Sequence, residues 1–87
     1  MDKQDIEQKV IEAAAGVVGV DKLQVTRDHH FVNDLNYDSL DKIEFAMKLE
    51  EMFDLRVEDE EVEKIATVGQ AIDHVIKMLE EALSPHK

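Results

Sequence analysis

The 87-residue chain contains no cysteine, which excludes a disulfide framework and any thiolate metal site. A chain without thiols fits a reducing compartment. Its opening residues, MDKQDIEQKV, put acids where a secretory signal needs a basic region and an apolar block. No apolar run approaches the roughly 20 residues of a membrane span. The expected location is cytoplasmic, or an organelle matrix if a leader has been removed. Strand signals are missing as well: alternation is nowhere sustained, and there is no Asn-Gly or Asp-Gly hairpin turn. There is no internal repeat and no low-complexity tract.

Catalytic and metal motifs are equally scarce. The histidines are His29, His30, His74 and His86, and none stands in a His-x-x-Glu-His or Glu-x-x-His spacing. His29 and His30, adjacent in a polar loop, read as solvated side chains rather than ligands. His74 is expected on the wet side of the last helix. The acidic stretches lack the glycine-centred spacing of an EF-hand loop. Neither a resident metal nor an enzymatic activity is expected, because no convergent set of reactive groups is encoded.

What the chain does have is negative charge, 21 acids against 10 Lys plus Arg for a net of −11. Eleven acids and four bases fall between Asp38 and Lys64, so −7 of the −11 lies in that segment. Such a field repels phosphate backbones, which argues against nucleic-acid binding. It attracts and orients proteins bearing Lys/Arg patches. An ordinary solubilising surface is the plainer account of the same composition.

At this length the chain is expected to be one domain, residues 1–87, burying about 60–65% of the surface its unfolded form exposes. Asp2, with Asp5 three residues on, marks the start of a first helix. Ile6, Val10, Ala13, Ala14 and Val17 recur at helical spacing, and Gly19 is a natural stop. Val20 to Asn36 is a long connection for Leu23, Val25, Phe31 and Leu35 to pin, with a short helical turn over Phe31 to Leu35. Asp38 caps a central helix running to Asp54, with Asp41 in the capping-box position. Leu55 and Val57 anchor the way out, and Asp59 to Lys64 is a short helix with Val62 and Ile65 inward. Thr67 and Gln70 form a second capping box. Val68, Ile72, Val75, Leu79 and Leu83 then mark the last helix, which Ser84-Pro85 ends. The sum is an all-α four-helix bundle: three long helices, one short, and a long loop between the first and second.

The central helix carries two apolar stripes. At about 100° of rotation per residue, Phe45, Leu49 and Phe53, flanked by Ala46 and Met52, gather on one side. Leu40, Ile43 and Met47 gather opposite, within an arc of roughly 60°. A small bundle has one core to offer, and the broader, more aromatic stripe is the better candidate for it. The narrower stripe then faces solvent, edged by Glu44, Glu50 and Glu51. An exposed apolar strip ringed by carboxylates is a docking surface in outline. Beside it, in the first turn, sits Ser39. Helix-start amides and the helix dipole favour a covalently attached anion there, while Asp38 and Asp41 oppose it. No base is encoded next to Ser39, so an external transferase would have to supply the chemistry. Two readings stand on local physics: Ser39 only helps cap the helix, or it is a modification point.

The stretch Asp34-Leu35-Asn36-Tyr37-Asp38-Ser39-Leu40-Asp41, followed by Ile43-Glu44-Phe45, resembles the attachment motif of the acyl carrier proteins. The likeness continues through Leu49 to Phe53, Asp59-Glu60-Glu61, Ile65 to Val68, and Ala71-Ile72. It implies a four-helix bundle and 4′-phosphopantetheine, taken from coenzyme A, on Ser39. It also implies acyl groups held as thioesters on the arm's thiol. Asp38 and Asp41 would lie near the modified serine. Leu40, Ile43, Glu44, Met47, Glu50, Glu51 and Asp59 would dock basic patches on a phosphopantetheinyl transferase and on acyl-transfer and chain-elongation enzymes. The other stripe would line a core able to open around an acyl chain. A monomer is expected.

Three departures from the family pattern stand out. Asn36-Tyr37 replaces a glycine and a small residue, and Tyr37 is expected to put a bulky group close to the arm. Asn36 can still adopt a left-handed turn. Lys42 and Lys48 dilute the acidity of the central helix, and Val57-Glu58 replaces an isoleucine-proline pair. The other functions open to the sequence are an unmodified acidic helical interaction module, or a carrier of aminoacyl or peptidyl cargo on the same arm.

Overall fold

The computed structural model describes residues 2–83, with side chains up to residue 81. Among these residues the chain is helical, with no strand and one isolated β-bridge between His30 and Thr67. The helices are α1 (Lys3–Val18), α2 (Ser39–Phe53), the short α3 (Asp59–Lys64) and α4 (Val68–Leu83). The side chain of Leu83, the stop at Ser84-Pro85 and His86 lie outside the described residues.

Each helix starts where its side-chain chemistry provides a cap. The Asp2 carboxylate accepts from the Asp5 N–H at 2.9 Å, satisfying one of the orphan amides of α1. Gly19 closes α1 in the left-handed region, φ 72°, where a Cβ would add strain. At α4 the Thr67 hydroxyl accepts from Gln70 N–H, and Gln70 Oε1 accepts in return from Thr67 and Ala66. At the α3 start the Glu61 carboxylate accepts from Glu58 N–H at 3.0 Å.

One core runs through the bundle. Ile6, Val10, Ala13 and Ala14 of α1 meet Phe45, Leu49 and Phe53 of α2, and Val68, Ala71, Ile72 and Val75 of α4. Met52, which flanks the buried stripe of α2, is 38% exposed. Val57 is buried, while Leu55, Val62 and Ile65 are half-buried under α3.

The long connection is more structured than its composition suggests. A 3₁₀ turn at Lys22–Gln24, capped by the Asp21 carboxylate accepting from Leu23 N–H, swings Leu23 outward. Leu23 is 84% exposed and pins nothing; Val25 and Phe31 do the pinning, with Leu35 packed beside them. Phe31 to Leu35 forms the expected turn, with Asp34 and Leu35 N–H both donating to the His30 carbonyl. The loop backbone is then laid against the start of α4. Phe31 N–H donates to the Ala66 carbonyl, Val68 N–H to that of His29, and Gly69 N–H to that of Arg27. Arg27 also reaches Asp73 on α4 at 2.9 Å and Glu7 on α1 at 3.7 Å.

Tyr37 and His74 depart from their expected positions. Asn36 does take the left-handed region, φ 60°. That turn directs Tyr37 inward rather than toward the helix start. Its ring is buried against Phe31 and Phe45, with centroids 4.8 and 6.2 Å away. Its hydroxyl donates to the Ala14 carbonyl at 2.7 Å. His74 is not on the wet side of α4. It is largely covered, with Nε2 3.4 Å from a Glu61 carboxylate oxygen and without a hydrogen bond.

Candidate functional site

The start of α2 is built by two aspartates. Asp41 N–H donates to the Asp38 carboxylate at 2.8 Å, and Asp38 N–H donates to that of Asp41 at 3.1 Å. This reciprocal box is worth about 1 kcal/mol or more to the helix end. It also occupies both carboxylates with the backbone. Ser39, the first helical residue, is exposed, and its hydroxyl makes no hydrogen bond among the described residues. Capping is complete without it.

The two stripes of α2 part as the helical rotation requires. Leu49 is 2% exposed, whereas Leu40, Ile43 and Met47 are 68, 49 and 57% exposed. Glu44 and Glu51 lie in solvent along one margin of the outer strip. Glu50, on the other margin, is half-buried and helps hold the fold. Its carboxylate accepts from Val57 N–H at 2.9 Å, tying the α2–α3 connection to α2. Asp59, also exposed, opens α3 across a cleft from Ser39.

That cleft, about 270 Å³ in volume, is lined by Ser39, Lys42 and Ile43 of α2 and by Asp59, Val62 and Glu63 of α3. Its walls mix apolar and charged groups beside a free hydroxyl, so the residues present fit a covalently attached phosphorylated arm. Behind it, between Phe31, Phe45, Leu49, Val57 and Ile65, the interior leaves only about 10 Å³, room for one water at most. Lys42 borders both spaces. It therefore offsets the acids at the cleft, whereas Lys48 lies exposed farther along α2. Val62, Glu63 and Lys42 join the site without the attachment motif pointing to them. For Lys42 the sequence does hold a signal: its helical angle falls between those of Leu49 and Phe53, on the inner stripe.

Among the described residues no group of three His, Asp or Glu side chains is placed to hold a metal. His29 Nδ1 accepts from Thr26 N–H and His30 Nδ1 from Asn33 N–H, so both rings serve the loop. No described helix is long and apolar enough to cross a membrane.

Residues 8–75 match the family described as "Phosphopantetheine attachment site". An acyl carrier protein of Rubrobacter xylanophilus is 47% identical over 88% of this chain and 95% of its own length. One from Chlorobium phaeobacteroides is 43% identical over 88% and 99%. Among solved structures, the acyl carrier protein of Thermotoga maritima superposes with a TM-score of 0.78 at 40% identity, covering 94% of this chain and 95% of the other. The chain therefore belongs to the acyl carrier proteins, carriers rather than enzymes, which bear a covalently attached 4′-phosphopantetheine.

Proposed function

We propose that Ser39 is the attachment point and that the protein presents acyl intermediates to fatty-acid or related lipid and polyketide enzymes. The observation that carries this is the free Ser39 hydroxyl at the head of α2, left unbonded by a cap that Asp38 and Asp41 complete between themselves. When bound, the arm supplies the thiol that a cysteine-free chain lacks and on which acyl groups ride as thioesters. The chain's own part is to hold the serine outward, at the positive end of a helix dipole. With both neighbouring carboxylates engaged in capping, the proton of Ser39 is removed by the transferase.

Leu40, Ile43 and Met47, with Glu44, Glu51 and Asp59 around them and Glu50 at the margin, form the shared docking surface for enzymes with basic patches. Their exposure and the local excess of acids support that role. Charge of this kind speeds encounter more than it tightens a complex, which suits a monomeric carrier that must visit several enzymes. The net charge of −11 supports acyl cargo over aminoacyl or peptidyl cargo, and a cytoplasmic setting belongs to the same reading.

The test is intact mass after incubation with coenzyme A and a broad phosphopantetheinyl transferase. The wild type gains one phosphopantetheine and Ser39→Ala gains none while keeping its helicity. A mass gain in Ser39→Ala would place the attachment elsewhere, and no gain in either protein would favour an unmodified module.

A further inference from the structure

We propose that Lys42 is a positioning residue for the arm, its ammonium pairing with the phosphodiester on Ser39 and holding the base of the arm in the α2–α3 cleft. This rests on the assignment of Ser39.

Lys42 lies three residues after Ser39, so the two side chains are neighbours on the helix surface, with Cβ atoms about 5–6 Å apart. It is half-buried and borders both the cleft and the apolar space behind it. A lysine's long stem can lie along apolar surface while its charged head stays in water. Among the described residues Lys42 has no ion pair and no side-chain hydrogen bond, although Asp59 and Glu63 line the same cleft. The ammonium is therefore not committed to a carboxylate of the fold.

The charge around Ser39 gives an uncommitted lysine a role. Asp38, Asp41, Asp59 and Glu63 surround the hydroxyl with carboxylates, and Lys42 is the one base among the residues lining the cleft. A phosphodiester placed on Ser39 adds a further negative charge to this field, opposed only by the helix dipole and by Lys42. A lysine one turn along is a point charge on a flexible stem, able to follow the phosphate oxygens as the arm moves. Lys48, on the outer face of the same helix, does not border the cleft and has no such reach.

The experiment compares unloaded and loaded protein, each confirmed by intact mass, for wild type, Lys42→Met and Lys42→Arg. The readouts are the phosphorus resonance of the diester and the side-chain resonances of the lysines. On loading, the terminal resonances of Lys42 shift while those of Lys48 stay in place. The diester resonance of Lys42→Met moves toward that of a short phosphopantetheinyl-serine peptide, and Lys42→Arg restores the wild-type position. Circular dichroism confirms that the variants keep their helices. Three results overturn the proposal: Lys42 resonances unmoved by loading, a diester resonance identical in wild type and Lys42→Met, or a response that appears only once a carboxylate-bearing acyl group is attached. Failure of the wild type to gain mass would overturn the Ser39 assignment itself, and is seen before any resonance is compared.

Discussion

Tyr37 Oη donates a 2.7 Å hydrogen bond to the carbonyl of Ala14, joining the residue two positions before Ser39 to the C-terminal half of α1. The attachment motif is thereby anchored to the bundle from beneath, and the serine stands on a fixed base. Burial pushes the phenol well above its ordinary value, with the Asp41 and Glu44 carboxylates adding to the shift. In the unfolded chain the phenol ionises near pH 10. Its contribution to stability is therefore complete below about pH 10 and declines as pH rises from there toward the folded value. Tyr37→Phe should lose about 1 kcal/mol at neutral pH for the missing hydrogen bond and show a shallower alkaline decline. Urea unfolding at neutral and at alkaline pH checks this. Tyr37 is the single tyrosine in a chain without tryptophan, so ultraviolet absorbance follows its ionisation alone.

Glu44 and Glu50 look equivalent in the sequence and should behave differently on mutation. Glu44 is in solvent and holds nothing in place, so Glu44→Lys should slow loading and partner turnover at low salt while leaving the unfolding midpoint unchanged. Raising the ionic strength should narrow the gap from wild type, since screening removes the steering that the variant has lost. Glu50 accepts from the Val57 amide, so Glu50→Ala should cost about 1 kcal/mol and loosen α3. Hydrogen exchange at Val57 reports that loss directly.

Gly69 faces the loop closely. A Cβ there would meet the Arg27 carbonyl oxygen at 3.1 Å, the same oxygen that accepts from Gly69 N–H at 2.9 Å. Gly69→Ala gains up to about 1 kcal/mol in helix propensity. It has to push that carbonyl away by a few tenths of an ångström, at a cost of about 1–3 kcal/mol. A net loss of about 1 kcal/mol is expected, read as a lower thermal midpoint. Faster exchange of the Phe31 and Val68 amides, which share the loop contact, should accompany it.

That contact marks the boundary of what the sequence makes legible. The four helices and their caps can be read because 3.6-residue periodicity and capping pairs such as Asp38–Asp41 and Thr67–Gln70 are local signals. The sides taken by Leu23 and Val25 cannot. They depend on a 3₁₀ turn capped by Asp21 and on backbone pairing between segments as distant as His30 and Thr67. Tyr37 misleads for a related reason: its direction is set by the left-handed turn at Asn36, and a bulky side chain there can go in or out. The exposed serine is legible from its motif. Lys42 reads as surface charge because its residue type outweighs its helical angle, and His74 reads as wet because it follows Asp73.

The claim that α2 has one face for the fold and another for partners is tested by two residues two positions apart. Leu49 is 2% exposed and Met47 is 57% exposed. Leu49→Ala removes packing from a region whose remaining void is about 10 Å³. It should destabilise the bundle by about 2–5 kcal/mol, as large-to-small changes in closely packed cores do. Met47→Ala should stay within about 0.5 kcal/mol of wild type. Function should invert the order. Measured well below its melting temperature, Leu49→Ala should still accept phosphopantetheine from the transferase. Met47→Ala, folded as firmly as wild type, should be loaded and turned over more slowly, because the apolar strip has lost its central contact. A Met47→Ala protein that unfolds early, or one that partner enzymes process at the wild-type rate, would remove the distinction between the two faces.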